Sequence, residues 1–254
     1  MNIYCIHENR PEYFDRKKFI EHQYNKLIPH PQKPLIWITS FPADFFSSEN
    51  SSPYNRLHTV GKATEKSCFW KHYAALQQIA ASGSVGLVLE DDAIFRPDLI
   101  SKCEHLISHL ADPYFYINLE YCSDDVPIYY VFHKMVKMKG TRRNGAYLVA
   151  PEAAARLVGL IDRWLAEEKT FDFLADGFIT ESYSTAGINT YWSVHPLVYQ
   201  GSKTGRFSSD LSFRKYKSYY KFYEFMQYYC VPIINKIRAC FLKKILIRVE
   251  YPIK

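Results

Sequence analysis

Short apolar runs alternate along this chain with longer stretches in which apolar positions recur every three to four residues. Ile3-Tyr4-Cys5-Ile6 is the first run, and Pro11 to Leu27 follows with a helix-like pattern that carries Pro11 in its first turn. After a break rich in proline (Pro29, Pro31, Pro34), Leu35-Ile36-Trp37-Ile38-Thr39 predicts a second strand, and the polar stretch Pro42 to Leu57 predicts a loop. Cys68, Phe69, Tyr73, Leu76 and Ile79 fall at helical spacing within Thr64 to Ala81, and Gly83 supplies a stop. Val85-Gly86-Leu87-Val88-Leu89 is unbroken and apolar, as a strand buried on both faces requires, and it runs straight into Glu90-Asp91-Asp92. A helix is expected from Pro97 to Leu110, and strands at Tyr114 to Leu119 and Ile128 to Phe132. Helices follow at Pro151 to Ala166 and around Phe171 to Tyr183, then an extended segment from Asn189 to Tyr199. Strands alternating with helices imply an α/β fold with a mostly parallel sheet flanked by helices.

Composition narrows this picture. The chain has 254 residues, 48% of them hydrophobic and 17% aromatic, enough for a sizeable core in one large domain and incompatible with overall disorder. Its six cysteines show no Cys-x-x-Cys pair or regular spacing and read as reduced, buried thiols. The start, Met1-Asn2-Ile3-Tyr4, passes at once into charged residues rather than a basic-then-apolar leader, which suggests a cytoplasmic protein. No uncharged apolar run approaches the ~18 residues of a membrane span.

The net charge of +6 is concentrated at one end. Residues 213–254 hold ten Lys/Arg against two Glu, a local +8 that leaves the first 212 residues at −2. Two units follow: a catalytic domain over 1–212 and a basic aromatic helical tail over 213–254. The tail interleaves Lys215, Lys217 and Lys221 with Tyr216, Tyr219, Tyr220, Phe222, Tyr223 and Phe225, a composition suited to helices lying on an anionic membrane surface. Packing on the domain with the lysines solvated is the plainer alternative.

Three consecutive acids after a buried strand repel one another and are costly to desolvate, and a divalent cation relieves both problems. Hard ions such as magnesium and manganese take oxygen ligands and keep positions open for water and substrate phosphates. The carboxyl ends of strands in open α/β sheets are where ligands bind. The same acids could instead cap the helix beginning near Pro97.

Val88-Leu89-Glu90-Asp91-Asp92-Ala93 resembles the Leu-Glu-Asp-Asp signature of the family 25 glycosyltransferases, which include lipooligosaccharide and collagen galactosyltransferases. Further similarities occur in the same order. Glu65, Cys68 and His72 resemble a Gly-Glu-x-Gly-Cys-x-x-Ser-His segment, from which Thr64, Ser67 and Lys71 depart. Phe115 to Glu120 is similar to a strand ending in Leu-Glu, and Gly145-Ala146-Tyr147-Leu148-Val149 to a Gly-x-Ala-Tyr strand. Ala175-Asp176-Gly177-Phe178 resembles a Val-Asp-x-Phe segment, and Pro196 to Gln200 with Ser208 a terminal Pro-Leu-x-x-Gln and Ser pattern.

The resemblance spans roughly residues 3 to 210. It implies a GT-A type, Rossmann-like fold, a UDP-sugar donor, Mn2+ or Mg2+, and inversion at the anomeric carbon. The acceptor expected is a glycan or lipid-linked oligosaccharide at the inner face of the cytoplasmic membrane, and galactose is the expected sugar. The roles that follow make Asp92 the first metal ligand, with Asp91 as a further ligand; His195, which the resemblance does not place, is a third candidate from its position before Pro196 late in the domain. Arg10, Glu90, Asp91 and Tyr147 contact the donor, and Asp176 is the general base with Asp172 as its substitute. Arg16, Arg142 and Arg143 are additional cations able to meet a diphosphate. His72 reads as a packed residue rather than a ligand.

Two other functional classes compete. A metal-dependent phosphohydrolase or nucleotidyltransferase also uses clustered acids. A nucleic-acid-binding protein would use the aromatic tail as a stacking platform but leaves the carboxylates unexplained, so no nucleic-acid partner is expected. Serine-hydrolase and P-loop chemistry are excluded, because Gly-x-Ser-x-Gly is absent and Gly201-Ser202-Lys203-Thr204 lacks the phosphate-loop spacing.

Overall fold

The structure, a computed structural model, describes residues 1–27, 34–47, 52–120, 126–208, 217–230, 233, 234, 237, 238, 240, 241 and 249–253. The strands are β1 (Asn2–Ile6), β2 (Leu35–Ile38), β3 (Gly86–Glu90), β4 (Ala93–Phe95), β5 (Phe115–Asn118), β6 (Met135–Met138), β7 (Ala146–Val149), β8 (Asn189–Ser193), β9 (Val198–Gln200) and β10 (Val249–Ile253). The helices are α1 (Phe14–Leu27), α2 (Asp44–Ser47), α3 (Pro53–Leu57), α4 (Ala63–Ser82), α5 (Leu99–Ser108), α6 (Pro151–Ala166), α7 (Ala175–Ala186), α8 (Gly201–Thr204) and α9 (Tyr220–Phe225).

Eight strands form one sheet in the order β10-β6-β8-β5-β7-β3-β1-β2, and β4 pairs with β9 beside it. Six of the eight run in one direction, with β6 and β7 reversed, so the chain is an α/β protein with a mostly parallel sheet flanked by helices. Side chains alternate across that sheet, and the alternation assigns the two helical layers. Gly86 faces α4, where an added Cβ would lie 2.3 Å from Ile79, and Glu90 two steps on faces the same helix. Ile3, Leu87 and Leu89 face the other way, onto Tyr24 of α1 and Leu99 of α5. The helix α4 packs on α6, with α2 and α7 against it, which is why it buries residues around most of its circumference. It ends at Gly83, whose φ of 62° is the left-handed cap that glycine provides.

Three sequence expectations are corrected. Residues 42–57 hold α2 and α3 rather than only loop. Ile128–Tyr130 is a turn of 3-10 helix behind Pro127, with Phe132 92% exposed, and the neighbouring strand is Met135–Met138 instead. At the other end, β10 joins the sheet edge beside β6, where a helix was expected. Cys122 lies outside the described residues.

An aromatic cluster seals the layer of α4, α6 and α7. Its members include Phe69, Trp70, Trp164, Phe171 and Phe178, and His58 sits among them with ring centroids 4.9 Å from Phe69 and 4.8 Å from Phe171. His58 Nε2 donates to the Phe173 carbonyl at 3.0 Å, while its buried Nδ1 has no hydrogen-bond partner. A second proton would therefore be buried without an acceptor, and burial lowers the imidazole pKa from 6.5 to about 4. Because the folded pKa lies below the unfolded one, this stability is complete above pH 6.5 and is lost as pH falls toward 4. The expected slope is up to about 1.4 kcal/mol per pH unit. Unfolding midpoints of the parent and His58→Phe, compared from pH 7 to 4, should show a flatter curve for the variant, and parallel curves would refute this.

Candidate functional site

In a parallel sheet, residues that follow paired strands meet at the carboxyl edge. Ile6 of β1 is in register with Glu90 of β3, so His7 emerges opposite Asp91. His7 Nδ1 lies 2.8 Å from Asp91 Oδ2, and Arg16, in the first turn of α1, donates through NH1 to Asp91 Oδ1 at 2.8 Å. Both oxygens of Asp91 are thus engaged. Burial of the guanidinium lowers the Arg16 pKa, but the charges of Asp91 and Asp92 and the hydrogen bond to Asp91 together hold it above its ordinary value.

Asp92 turns toward α8. Its Oδ2 accepts the Ser202 N–H at 3.0 Å, its carbonyl accepts Gly201 N–H at 2.7 Å, and its Oδ1 is buried with no hydrogen-bond partner. The close approach needs glycine at 201, where a Cβ would come within 3.0 Å of the Asp92 carbonyl oxygen. Glu90 points to α4, with Oε1 3.5 Å from His72 Nε2 and 3.9 Å from Cys68 Sγ. Burial, then the charges of Asp92, Asp176, Glu120 and Asp91, push its pKa well above the usual carboxylate range.

Beyond β5, Glu120 is almost fully buried. It accepts Gly145 N–H at 3.1 Å and Lys203 Nζ at 2.5 Å, with Arg143 NH1 3.8 Å away. Burial raises its pKa even against the pull of Lys203 and Arg143. Arg143 has a φ of 64°, a left-handed conformation that a side-chain-bearing residue adopts at a cost of about 1–3 kcal/mol. On the α4 side, Glu8 receives Lys71 Nζ and the Ser67 hydroxyl, the latter at 3.1 Å. Burial raises the Glu8 pKa, but these partners and the Ala43 N–H outweigh it and lower it overall.

Most of these groups line one open cleft of about 470 Å³, with His7, His72 and Glu120 behind its wall. Besides Glu90, five carboxyl groups (Glu8, Glu65, Asp91, Asp92, Asp176) face it against four cations (Arg16, Lys71, Arg143, Lys203), a balance that favours a cation. The buried Oδ1 of Asp92, with no hydrogen-bond partner, is an oxygen donor of the kind a hard cation takes.

The structure gathers Glu90, Asp91, Asp92 and Asp176, with Arg16 and Arg143, from the residues singled out in the sequence. Asp176, in the first turn of α7, is exposed, and its Oδ1 accepts the Asn144 N–H at 3.2 Å. Four others lie outside the lining. Arg10 donates to Asp44 at 2.6 Å, and Asp172 is exposed before α7. His195 is exposed, with Nε2 2.9 Å from the Val131 carbonyl oxygen. Tyr147 is buried, its hydroxyl 3.1 Å from His72 Nδ1. His7, Glu8, Glu120 and Lys203 carry no assigned role in the sequence reading. For His7 the signal was its place one residue after β1, which pairs with the acid-bearing strand.

No protein-family model matches the chain, and no curated protein matches it. Among solved structures, a glycosyltransferase involved in the glycosylation of the major capsid of PBCV-1 is similar at 12% identity and a TM-score of 0.34. That likeness covers 76% of this chain and 92% of the other.

Proposed function

We propose that the cleft transfers a hexose from a nucleoside-diphosphate sugar to a hydroxyl of a glycan acceptor. The observation that carries this reading is the meeting of Asp92, with its unpartnered buried oxygen, and the cations Arg16, Arg143 and Lys203 in one cleft with Asp176. Guanidinium and ammonium groups beside an acid-held divalent ion suit a diphosphate. The family 25 resemblance adds the finer terms: uridine as the nucleoside, galactose as the sugar, a GT-A type fold and inversion.

In the transfer, the acceptor oxygen attacks the anomeric carbon as the bond from that carbon to the diphosphate oxygen breaks. The electron pair leaves with the nucleoside diphosphate. The acceptor proton passes to Asp176. Arg16, Arg143 and Lys203 stabilise the charge that gathers on the leaving phosphates. A divalent manganese or magnesium ion held by Asp92 would add Lewis-acid neutralisation of that same charge. Asp91, clamped by His7 and Arg16, fixes the arginine's position.

A thermal-shift screen of UDP-sugars with and without manganese tests the reading. A donor present at about 100 times its Kd stabilises by about 2.7 kcal/mol, a shift of roughly 5–11 °C for a chain of this size. The shift should require the metal, and free UDP should appear only when a sugar acceptor is added. UDP release independent of acceptor would make the protein a hydrolase.

The acceptor's surroundings follow from the tail. Tyr219, Phe222, Phe225, Tyr229, Ile233 and Ile237 are each 47% exposed or more and recur every three to four residues. Residues 220–230 are helical, and Phe222, Phe225 and Tyr229 are exposed along that segment, with Lys217 and Lys221 nearby. Among the described residues no helix is long and apolar enough to cross a membrane. The tail unit, residues 213–254, docks on an anionic bilayer as a peripheral anchor at the cytoplasmic face, where a lipid-linked acceptor resides. Because β10 belongs to the sheet, deleting the tail would strip an edge strand, so substitution is the cleaner test. The parent should sediment with vesicles of anionic lipid and the double variant Phe222→Ser, Phe225→Ser should remain in solution. A parent that stays in the supernatant would refute the anchor.

A further inference from the structure

Cys68 and His72 are one helical turn apart on α4, so they present their side chains on one face. Glu90, at the end of β3, meets that face. One donor atom from each, a thiol sulfur, an imidazole nitrogen and a carboxylate oxygen, lies within 4.8 Å of the other two. The oxygen is 3.9 Å from Cys68 Sγ and 3.5 Å from His72 Nε2. Donor atoms around a tetrahedral zinc stand roughly 3.5 Å apart, given metal–ligand distances near 2.0–2.3 Å. Closing the triad onto an ion takes little more than about 1 Å of side-chain movement.

A second observation points at the same spot. His72 is buried, and its Nε2 has no hydrogen-bond partner. Its other nitrogen, Nδ1, is 3.1 Å from the Tyr147 hydroxyl. If Nδ1 carries the proton, that contact leaves a lone pair on Nε2 aimed at Glu90, the outer-sphere arrangement that orients ligating histidines. Burial lowers the imidazole pKa to about 3, so the ring is in the neutral, ligating form. A sulfur, nitrogen and oxygen set favours zinc over magnesium or manganese. Cys68 and Glu90 also line the open cleft, which leaves a fourth position for water or another small ligand.

We propose that Cys68, His72 and Glu90 form a zinc site on the α4 side of the cleft, separate from the hard-cation position at Asp92 and oriented through Tyr147. Binding displaces the proton of the Cys68 thiol to solvent, with no change of oxidation state. The inference goes beyond glycosyl transfer and does not depend on it.

Cobalt(II), which takes zinc's place and reports thiolate ligation by colour, tests the site without an activity assay. The full chain should bind one equivalent and develop a thiolate-to-cobalt charge-transfer band in the near ultraviolet. Zinc should bleach the band, and excess magnesium should leave it intact. Cys68→Ser should abolish the band. His72→Gln should weaken binding by more than the roughly 10–100-fold that loss of an outer-sphere partner costs, and Tyr147→Phe should fall within that range. Asp92→Asn should retain the band. Circular dichroism melts establish that each variant folds, and if Cys68→Ser does not, His72→Gln carries the decision. Absence of the band in the parent, or its persistence in Cys68→Ser, overturns the site. Loss of nucleotide-sugar binding with the cobalt band intact would sink the transfer reading and leave this one standing.

Discussion

Asp92→Asn is expected to lower glycosyl transfer by about 1,000-fold or more while leaving the fold at least as stable as the parent. The first half rests on the ligand. Lewis-acid stabilisation of a leaving group is worth several kcal/mol, and each 1.36 kcal/mol is tenfold in rate, so losing about 4 kcal/mol gives the stated factor. The second half rests on burial. Asp92 carries a buried oxygen with no hydrogen-bond partner and shares its surroundings with Glu90 and Asp91. The amide keeps an oxygen that can accept Ser202 N–H, the bond now 3.0 Å long, and removes one negative charge from that crowd. Donor-dependent stabilisation by manganese should disappear together with turnover. A variant that turns over like the parent in metal-supplemented buffer would remove Asp92 from the chemistry.

Much of the scaffold that places Asp92 could be read from residue patterns, because burial on both faces leaves a simple trace. The run Leu87 to Leu89 has no polar position, and β3 pairs with β1 on one side and β7 on the other, at the heart of the sheet. The boundaries of α6 are the expected ones, since Pro151 opens it and its apolar stripe is strongly one-sided. Ile128 to Phe132 misled because an apolar run does not reveal whether anything covers it, and here Tyr129 and Phe132 face solvent. Conversely, β6 is short and follows a charged residue, so it carries little signal of its own.

The site was more legible in its acids than in its cations, of which Arg16 and Arg143 were candidates and Lys203 was not. A carboxylate cluster is contiguous in sequence, whereas the arginine and lysine that meet it come from α1 and α8, 75 and 83 residues away from their partners Asp91 and Glu120. Arg10 and Arg16 both lie near the carboxyl end of β1, and only the helical turn between them decides which reaches the cleft. Arg16 does, while Arg10 is held outside by Asp44. His195 followed the same logic from the end of β8, but a strand end lies over the cleft only if its neighbours do. Between β8 and β3 stand β5 and β7.

The base assignment separates two nearby acids that the sequence could not rank by geometry. Asp176→Asn should retain donor binding and lower turnover by about 100- to 10,000-fold, the range for loss of a general base. The Asn144 N–H that now holds Asp176 Oδ1 at 3.2 Å can be accepted equally by the amide oxygen, so the side chain keeps its place and loses only its basicity. Stability should change by no more than about 0.5 kcal/mol, since the residue is exposed. Asp172→Asn is the matched comparison. It lies four residues earlier, is exposed, and does not line the cleft, so it should turn over as the parent does. Single-turnover rates with saturating donor distinguish the cases. A large loss at Asp172 with none at Asp176 would move the base out of the cleft and require the loop before α7 to close over the acceptor. Equal and complete loss of donor binding in Asp176→Asn would instead make that carboxylate a binding group.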